Sequence, residues 1–131
     1  MRYKHQDEVR DSELDLQGIV NNSNYFVYME HARHKHLSAL GVDFKKMHDD
    51  GYDLVVSEVH MKFKAPLVSQ DKYIVTSDFF LKSEVRVGVV QEIIRKSDDK
   101  VVASANYTVT CINNKINKIQ IPYFLKDKFG F

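Results

Sequence analysis

Apolar residues along this chain change their spacing at Gly51. Before it, Phe26, Met29, Ala32 or Arg33, His36 or Leu37, and Leu40 recur at three- and four-residue steps, the period of an α-helix, and Tyr25 and Tyr28 widen the stripe. Asn21, Asn22 and Ser23 offer side-chain oxygens to the orphan N–H groups at its start, and Gly41 stands where a left-handed residue closes a helix, so the spacing predicts a helix over 22–40. His34, Lys35 and His36 fall in its closing turns, where cations complement the helix dipole. A short helical turn over 44–49 is closed by Gly51. After Gly51 the period is two: Val59, Met61, Phe63 and Ala65 share one face and Glu58, His60, Lys62 and Lys64 the other, which predicts a half-buried strand ended by Pro66. Ser69-Gln70-Asp71 turns the chain into a strand over 73–81, and the strand over 85–96 carries Val or Ile on both faces, as one covered on both sides does. Asp98-Asp99 makes the next turn. The last clear strand, 101–112, sets Val101, Ala103, Ala105, Tyr107, Val109 and Cys111 opposite Ser104, Asn106, Thr108 and Thr110, and ends at Asn113-Asn114. Residues 2–11 alternate loosely and read as an opening strand with a polar outer face.

One well-bounded helix followed by four long, meandering strands predicts an α+β arrangement, an antiparallel sheet wrapped round a single helix. Apolar residues occur on more strand faces than one helix can cover, which implies burial against another subunit. Five Gly and two Pro are scattered without a linker, repeat or low-complexity tract, so residues 1–131 read as one domain. A chain of this length buries somewhat over roughly 65% of its unfolded surface and needs no disulfide or metal for a core; its one cysteine, Cys111, excludes an internal disulfide framework.

Net charge is +1, against a strongly basic nucleic-acid binder, but residues 1–60 hold seven Lys/Arg and eleven Asp/Glu while 61–131 hold twelve and seven. An anionic partner would meet the second half first. His5, Asp7, Glu8, Arg10, Asp11, Glu13 and Asp15 crowd the first twenty residues, against a signal peptide, and no apolar run nears the roughly 20 residues of a membrane span, so the expected location is cytoplasmic.

The run from Glu13 to Tyr25 carries the chemistry. Asp15 lies in a loop just before a helix start, and Gly18 permits a tight backbone path. The first N–H groups of a helix have no internal partners and sit at the positive end of its dipole, so they can hold an oxygen that becomes negative during acyl transfer. The same field favours the ionised form of a nearby carboxylate, ready to act as nucleophile or general base. Acidic caps and solvated loop carboxylates share this position, so spacing alone leaves the structural role open.

Asp15-Leu-Gln-Gly-Ile-Val-Asn-Asn-Ser-Asn-Tyr25, followed by Glu30-His-Ala-Arg33 and Gly41, resembles the signature of the 4-hydroxybenzoyl-CoA thioesterase family of hotdog-fold acyl-CoA thioesterases. Val59-His-Met-Lys-Phe-Lys-Ala-Pro66, with Asp71 five residues on, is similar to that family's second strand and turn, so the likeness spans most of residues 1–113. The resemblance implies a hotdog fold and hydrolysis of an acyl-CoA to a free carboxylic acid and coenzyme A. Asp15 falls on the catalytic aspartate, which attacks the thioester carbonyl or activates a water that does, and the backbone N–H of Asn22 falls where that carbonyl is polarised. Glu13 occupies a position often acidic in the family. Several members, including those associated with the Tol-Pal envelope system, have Tyr-His where this chain has Asn21-Asn22, so their histidine contribution does not carry over. The active site is implied to lie between subunits of a dimer or tetramer, with Gly18, Val20 and Tyr25 near the substrate and Lys62, Lys64, Arg86 and Arg95 as candidates for the phosphates of coenzyme A. A good thiolate leaving group, an ionised carboxylate and a backbone oxyanion site suffice without metal or cofactor. The competing reading is a non-hydrolysing module of the same fold that binds acyl-CoA or an acyl-carrier protein; a hydratase would want a His and carboxylate pair on the helix.

Rival features have structural accounts. His31 and His34 lie one turn apart, but His36 points elsewhere and no acidic or cysteine partner is placed to complete a metal site. Cys111 alternates inward with Val109, as a small buried hydrophobe would. Glu30, a candidate base on the helix, is spaced to pair with Arg33. The tail 114–131 is basic and is expected either to dock on the sheet or on a partner subunit through Tyr123, Phe124 and Leu125 or to stay partly mobile, and a nucleic-acid role is not expected.

Overall fold

The computed structural model describes residues 2–131. Helix α1 (Asn22–Ala39) starts where its caps predict, the Asn21 side-chain oxygen accepting from the Ser23 N–H at 3.0 Å, and Gly41 follows it at φ +85°. Helix α2 (Phe44–Asp49) is capped by Asp43 and followed by Gly51 at φ +99°. The strands are β1 (Tyr3–Glu8), β2 (Tyr52–Phe63), β3 (Lys72–Ser83), β4 (Arg86–Arg95), β5 (Lys100–Asn113) and the two-residue β6 (Lys118–Ile119), and α3 (Tyr123–Phe129) closes the chain.

All pairings are antiparallel, in the order β1-β3-β4-β5-β2, with β6 beside the end of β5. The strands therefore do not meander in sequence. Strand β2 skips its neighbour β3, crosses to β5 and becomes an edge, with a bulge between Val56 and Glu58 that resets which side chains face the helix. The half-buried pattern expected there is replaced by an exposed one: Val55, Val56, Val59 and Phe63 are all about two-fifths accessible, because none of the described residues pairs with that edge.

Helix α1 packs on β3 and β4 through Tyr25, Tyr28, Met29, Ala32, Arg33, His36 and Leu37, an unbroken i, i+3, i+4 stripe. It is rotated slightly from the predicted one, leaving Phe26 on the rim, and it includes two polar residues. His36 is not a dipole-complementing cation. Its ring is stacked between Tyr3 and Phe79, with Nδ1 3.0 Å from Ser77 Oγ, and burial holds its pKa below the usual histidine range. The Glu30–Arg33 pair is likewise absent; Arg33 instead donates to Gln91. The tail docks through Leu125, fully buried, while Tyr123 is 84% exposed. Neither β6 nor α3 was legible in the pattern.

Stability should fall on acidification. Unfolded histidine titrates near 6.5, and the folded pKa of His36 and His5 is lowered by burial. Between those values the unfolded chain binds more protons, so stability is present above about 6.5 and is lost as pH falls below it. His48, exposed and paired with Asp53, has the opposite sign and is screened by solvent. Melting temperature followed from pH 8 to 5 is expected to drop in the wild type and to drop less in His36→Gln; an unchanged slope in the variant would rule out His36 as the source.

Candidate active site

Residues 13–21 form a tight hairpin before α1. Leu14 bridges Val20, the Asp15 N–H donates to the Ile19 carbonyl at 2.8 Å, and the Gly18 N–H donates to the Asp15 carbonyl at 3.0 Å. Gly18 has φ +80° with nothing within 4 Å of a would-be Cβ, so backbone conformation and not space calls for glycine. Asp15 Oδ1 accepts from the Gln17 N–H at 2.8 Å and, more loosely, from the Ile19 N–H at 3.4 Å. This pins the carboxylate and leaves Oδ2 without a hydrogen-bond partner among the described residues. The side chain is half-buried.

Two clamps hold the hairpin to the body. On one side the Val20 N–H donates to the Leu67 carbonyl at 2.9 Å and Ile19 bridges Val68. Tyr25, 2% exposed, braces the same segment, its hydroxyl donating to the Ala65 carbonyl and accepting from the Leu67 N–H. On the other side Glu13 ties the hairpin to α1. Its carbonyl accepts from the Asn21 N–H and from Asn24 Nδ2, and its carboxylate accepts from the Arg10 N–H at 2.8 Å and the Tyr28 hydroxyl at 2.7 Å. Burial, and then the Glu13 carboxylate, push the Tyr28 hydroxyl far above its ordinary range, keeping it a donor. The link between Glu13 and Tyr28 escaped the sequence, because it exists only once the hairpin folds back on the helix.

Asn22 is the first residue of α1, and no described residue accepts from its N–H; the next amide, Ser23, is already held by the Asn21 cap. The arrangement thus combines one open carboxylate oxygen with one open helix-start amide, the parts needed to attack, or deliver water to, a carbonyl and to hold its oxygen.

The other sequence-derived candidates are spread out. Gly18 is exposed at the hairpin turn; the side chains of Val20 and Tyr25 are in the core. Lys62 and Lys64 are exposed toward the end of β2 that leads to Pro66 and Leu67, the hairpin's end of the sheet. Arg95 is at that end too but is committed to Asp98 at 2.7 and 3.0 Å and to the Pro66 carbonyl at 2.8 Å, pulling the Asp98 carboxyl down to about 2. Arg86 opens β4 where Arg95 closes it, about 30 Å away at the strand rise per residue, so it lies at the opposite end from Asp15. Cys111 is fully buried, and burial pushes its thiol up to about 11, away from nucleophilic use.

Residues 9–129 match the family model described as the thioesterase-like superfamily. Over 122 residues, 93% of this chain, it is 33% identical to the chloroplastic acyl-acyl carrier protein thioesterase ATL3 of Arabidopsis thaliana, of which it spans 64%. It is 29% identical over 112 residues to the long-chain acyl-CoA thioesterase FadM of Escherichia coli, covering 85% of this chain and 83% of that one. The crystal structure of Slr0204, a 1,4-dihydroxy-2-naphthoyl-CoA thioesterase from Synechocystis, superposes with a TM-score of 0.91 at 18% identity over 99% of this chain and 96% of that one, a likeness of fold.

Proposed function

Since the chain belongs to the thioesterase-like superfamily, we propose that it hydrolyses an acyl thioester to a free carboxylic acid and coenzyme A, with Asp15 as nucleophile or general base and the Asn22 N–H polarising the carbonyl. The observation that carries this reading is the pinned Asp15 carboxylate, whose Oδ1 is anchored by the Gln17 amide while Oδ2 stays open, on a hairpin clamped to the start of α1. The thioester carbonyl accepts from the helix-start amide; the carboxylate either attacks that carbonyl, expelling the thiolate and forming an anhydride that water then hydrolyses, or takes a proton from a water that attacks the carbonyl and expels the thiolate directly.

The functional unit in this reading is a homo-oligomer. Strand β2 has a free edge with Val55, Val56, Val59 and Phe63 exposed along it. A second copy paired antiparallel to that edge by two-fold symmetry brings the Tyr52 end of one strand beside the Phe63 end of the other. That pairing carries Arg86 of one copy toward the Asp15 hairpin of its partner and gives the distant arginine a place in the site.

Lys62 and Lys64 supply positive charge for the phosphates of the thiol carrier. Changing both to Gln is expected to raise KM several-fold with little change in kcat, an effect that shrinks as salt rises; an unchanged KM at low salt would remove them from the site. The reaction itself is tested by titrating free thiol released from short, long and aromatic acyl-CoA thioesters and from the corresponding acyl-carrier protein thioesters. Release from at least one class is expected. Tight binding of a non-hydrolysable analogue with no release from any would place the chain instead among acyl-binding modules.

A further inference from the structure

Three hydrogen bonds that hold the hairpin to the start of α1 converge on Glu13. Its carbonyl accepts from the Asn21 N–H at 3.0 Å and from Asn24 Nδ2 at 2.9 Å, and its Oε1 accepts from the Tyr28 hydroxyl at 2.7 Å. Asn21, Asn24 and Tyr28 are spaced i, i+3, i+7, so Glu13 lies along one face of the helix cap and first turns. Two bonds to one carbonyl oxygen fix a point. The third, to a different atom of the same residue, fixes the orientation of the hairpin about that point, and its acceptor is a carboxylate, which makes it the strongest in kind. The Tyr28 end does not yield: the residue is 4% exposed, and its ring is stacked on that of buried Tyr73 at 4.5 Å and 26°. The Glu13 end is held as well, because the Arg10 N–H shares Oε1 at 2.8 Å.

The link between Glu13 and Tyr28 closes residues 13–28 into a loop, and the Asp15 carboxylate and the Asn22 N–H both lie inside it. Asp15 is two residues past Glu13, and Asn22 follows the residue whose N–H the Glu13 carbonyl accepts. The proposed reaction uses neither Glu13 nor Tyr28 directly. Burial, and then the Glu13 carboxylate, keep the proton on the Tyr28 hydroxyl, so it is no acid for a leaving group, and Glu13 Oε1 is spent on two donors.

We propose that Glu13, held by Tyr28, is a positioning residue: it sets the distance and angle between the Asp15 carboxylate and the Asn22 amide, so that one thioester carbonyl reaches both at once. The inference rests on the thioesterase reading for its reaction. Without the link the hairpin is still tied at Val20 to Leu67 and at the Glu13 carbonyl, but it can pivot there. A displacement of about 1 Å costs up to about a hundredfold in rate.

The test measures kcat and KM for a thioester that the wild type hydrolyses, at a temperature where each variant is folded. Tyr28→Phe keeps the ring on Tyr73 and loses the hydroxyl; Glu13→Ala loses the acceptor; Glu13→Gln keeps an oxygen for Tyr28 and Arg10 and loses only the charge. Tyr28→Phe and Glu13→Ala are expected to lower kcat about tenfold with KM within about twofold of wild type, and Glu13→Gln to recover all but about threefold. The double variant Tyr28→Phe/Glu13→Ala is expected to be no slower than Glu13→Ala, because both changes remove one link. In Tyr28→Phe the Asn21 amide should exchange its hydrogen about tenfold faster, while the Val20 amide, on the other clamp, keeps its rate. A purely structural link would lower the urea midpoint and leave kcat of the folded protein alone, and that result in Tyr28→Phe overturns the inference. It is overturned too if Glu13→Gln is as slow as Glu13→Ala, if the losses multiply in the double variant, or if a slowed Tyr28→Phe exchanges its Asn21 amide at the wild-type rate. If the wild type hydrolyses no thioester, or Asp15→Asn hydrolyses at the normal rate, the thioesterase reading itself fails and the positioning role with it. Hydrolysis that needs Asp15 and ignores Tyr28→Phe removes the positioning role alone. Should Tyr28→Phe not fold, the pair Glu13→Gln and Glu13→Ala carries the decision.

Discussion

Asp15→Asn is expected to lower kcat by at least about a hundredfold, the usual range for losing a positioned general base, and by more if the carboxylate is the nucleophile. The substitution is chosen to separate chemistry from architecture. Asparagine keeps an Oδ1 able to accept from the Gln17 N–H at 2.8 Å, so the hairpin turn and Gly18 with its positive φ keep their geometry. What is lost is the charge on the open Oδ2. In the proposed function binding rests on the helix-start amide and the lysines, which this substitution leaves in place, so the loss should fall on kcat with KM nearly constant. Near-normal hydrolysis by a well-folded variant would remove Asp15 from the reaction.

The largest stability effect is expected from Leu67→Ala, a loss of about 2–5 kcal/mol read as a lowered urea midpoint at unchanged slope. Leu67 is fully buried in the larger core cluster with Met29, Ile93 and Val102, and its backbone serves both the Tyr25 hydroxyl and the Val20 N–H. Truncation therefore leaves a cavity directly behind the hairpin that carries Asp15. Activity should decline with the loss of folded protein and also at temperatures where the variant remains folded, because the brace behind Val20 is loosened. A shift below about 1 kcal/mol would mean that the site collapses around the smaller side chain.

Features written in local sequence were legible, and features made by the crossing of β2 were not. Asn21 and Gly41 bound α1, and Gly51 closes α2, to within a residue or two, because caps act over three or four positions. The Asp15 turn is equally local, closed by its own carbonyl and the Gly18 amide. Pairing of β2 with β5 joins residues far apart in sequence, from Phe63 with Ala103 to Tyr52 with Asn113, which alternation alone does not encode, and the Val56/Glu58 bulge shifts the alternation midway. Arg33 and His36 look like surface residues by type and are buried by position, since Gln91 and Ser77 await them on strands β4 and β3. In α3 a single fully buried residue, Leu125, anchors seven, too little for a periodic signal. The acidic half carries the hairpin and most of β2, and the basic half carries β3, β4 and β5.

The central claim is that the Asp15 carboxylate and the start of α1 carry out the chemical step on a bound thioester. It is tested most directly by a single-turnover experiment, with enzyme in excess over an acyl-CoA identified in the thiol-release panel, quenched at increasing times in wild type and Asp15→Asn. Both proteins are expected to bind the thioester with similar affinity, and the bound substrate to be converted by the wild type and to remain at least about a hundredfold longer in the variant. Conversion of bound thioester at the same rate in both would contradict it.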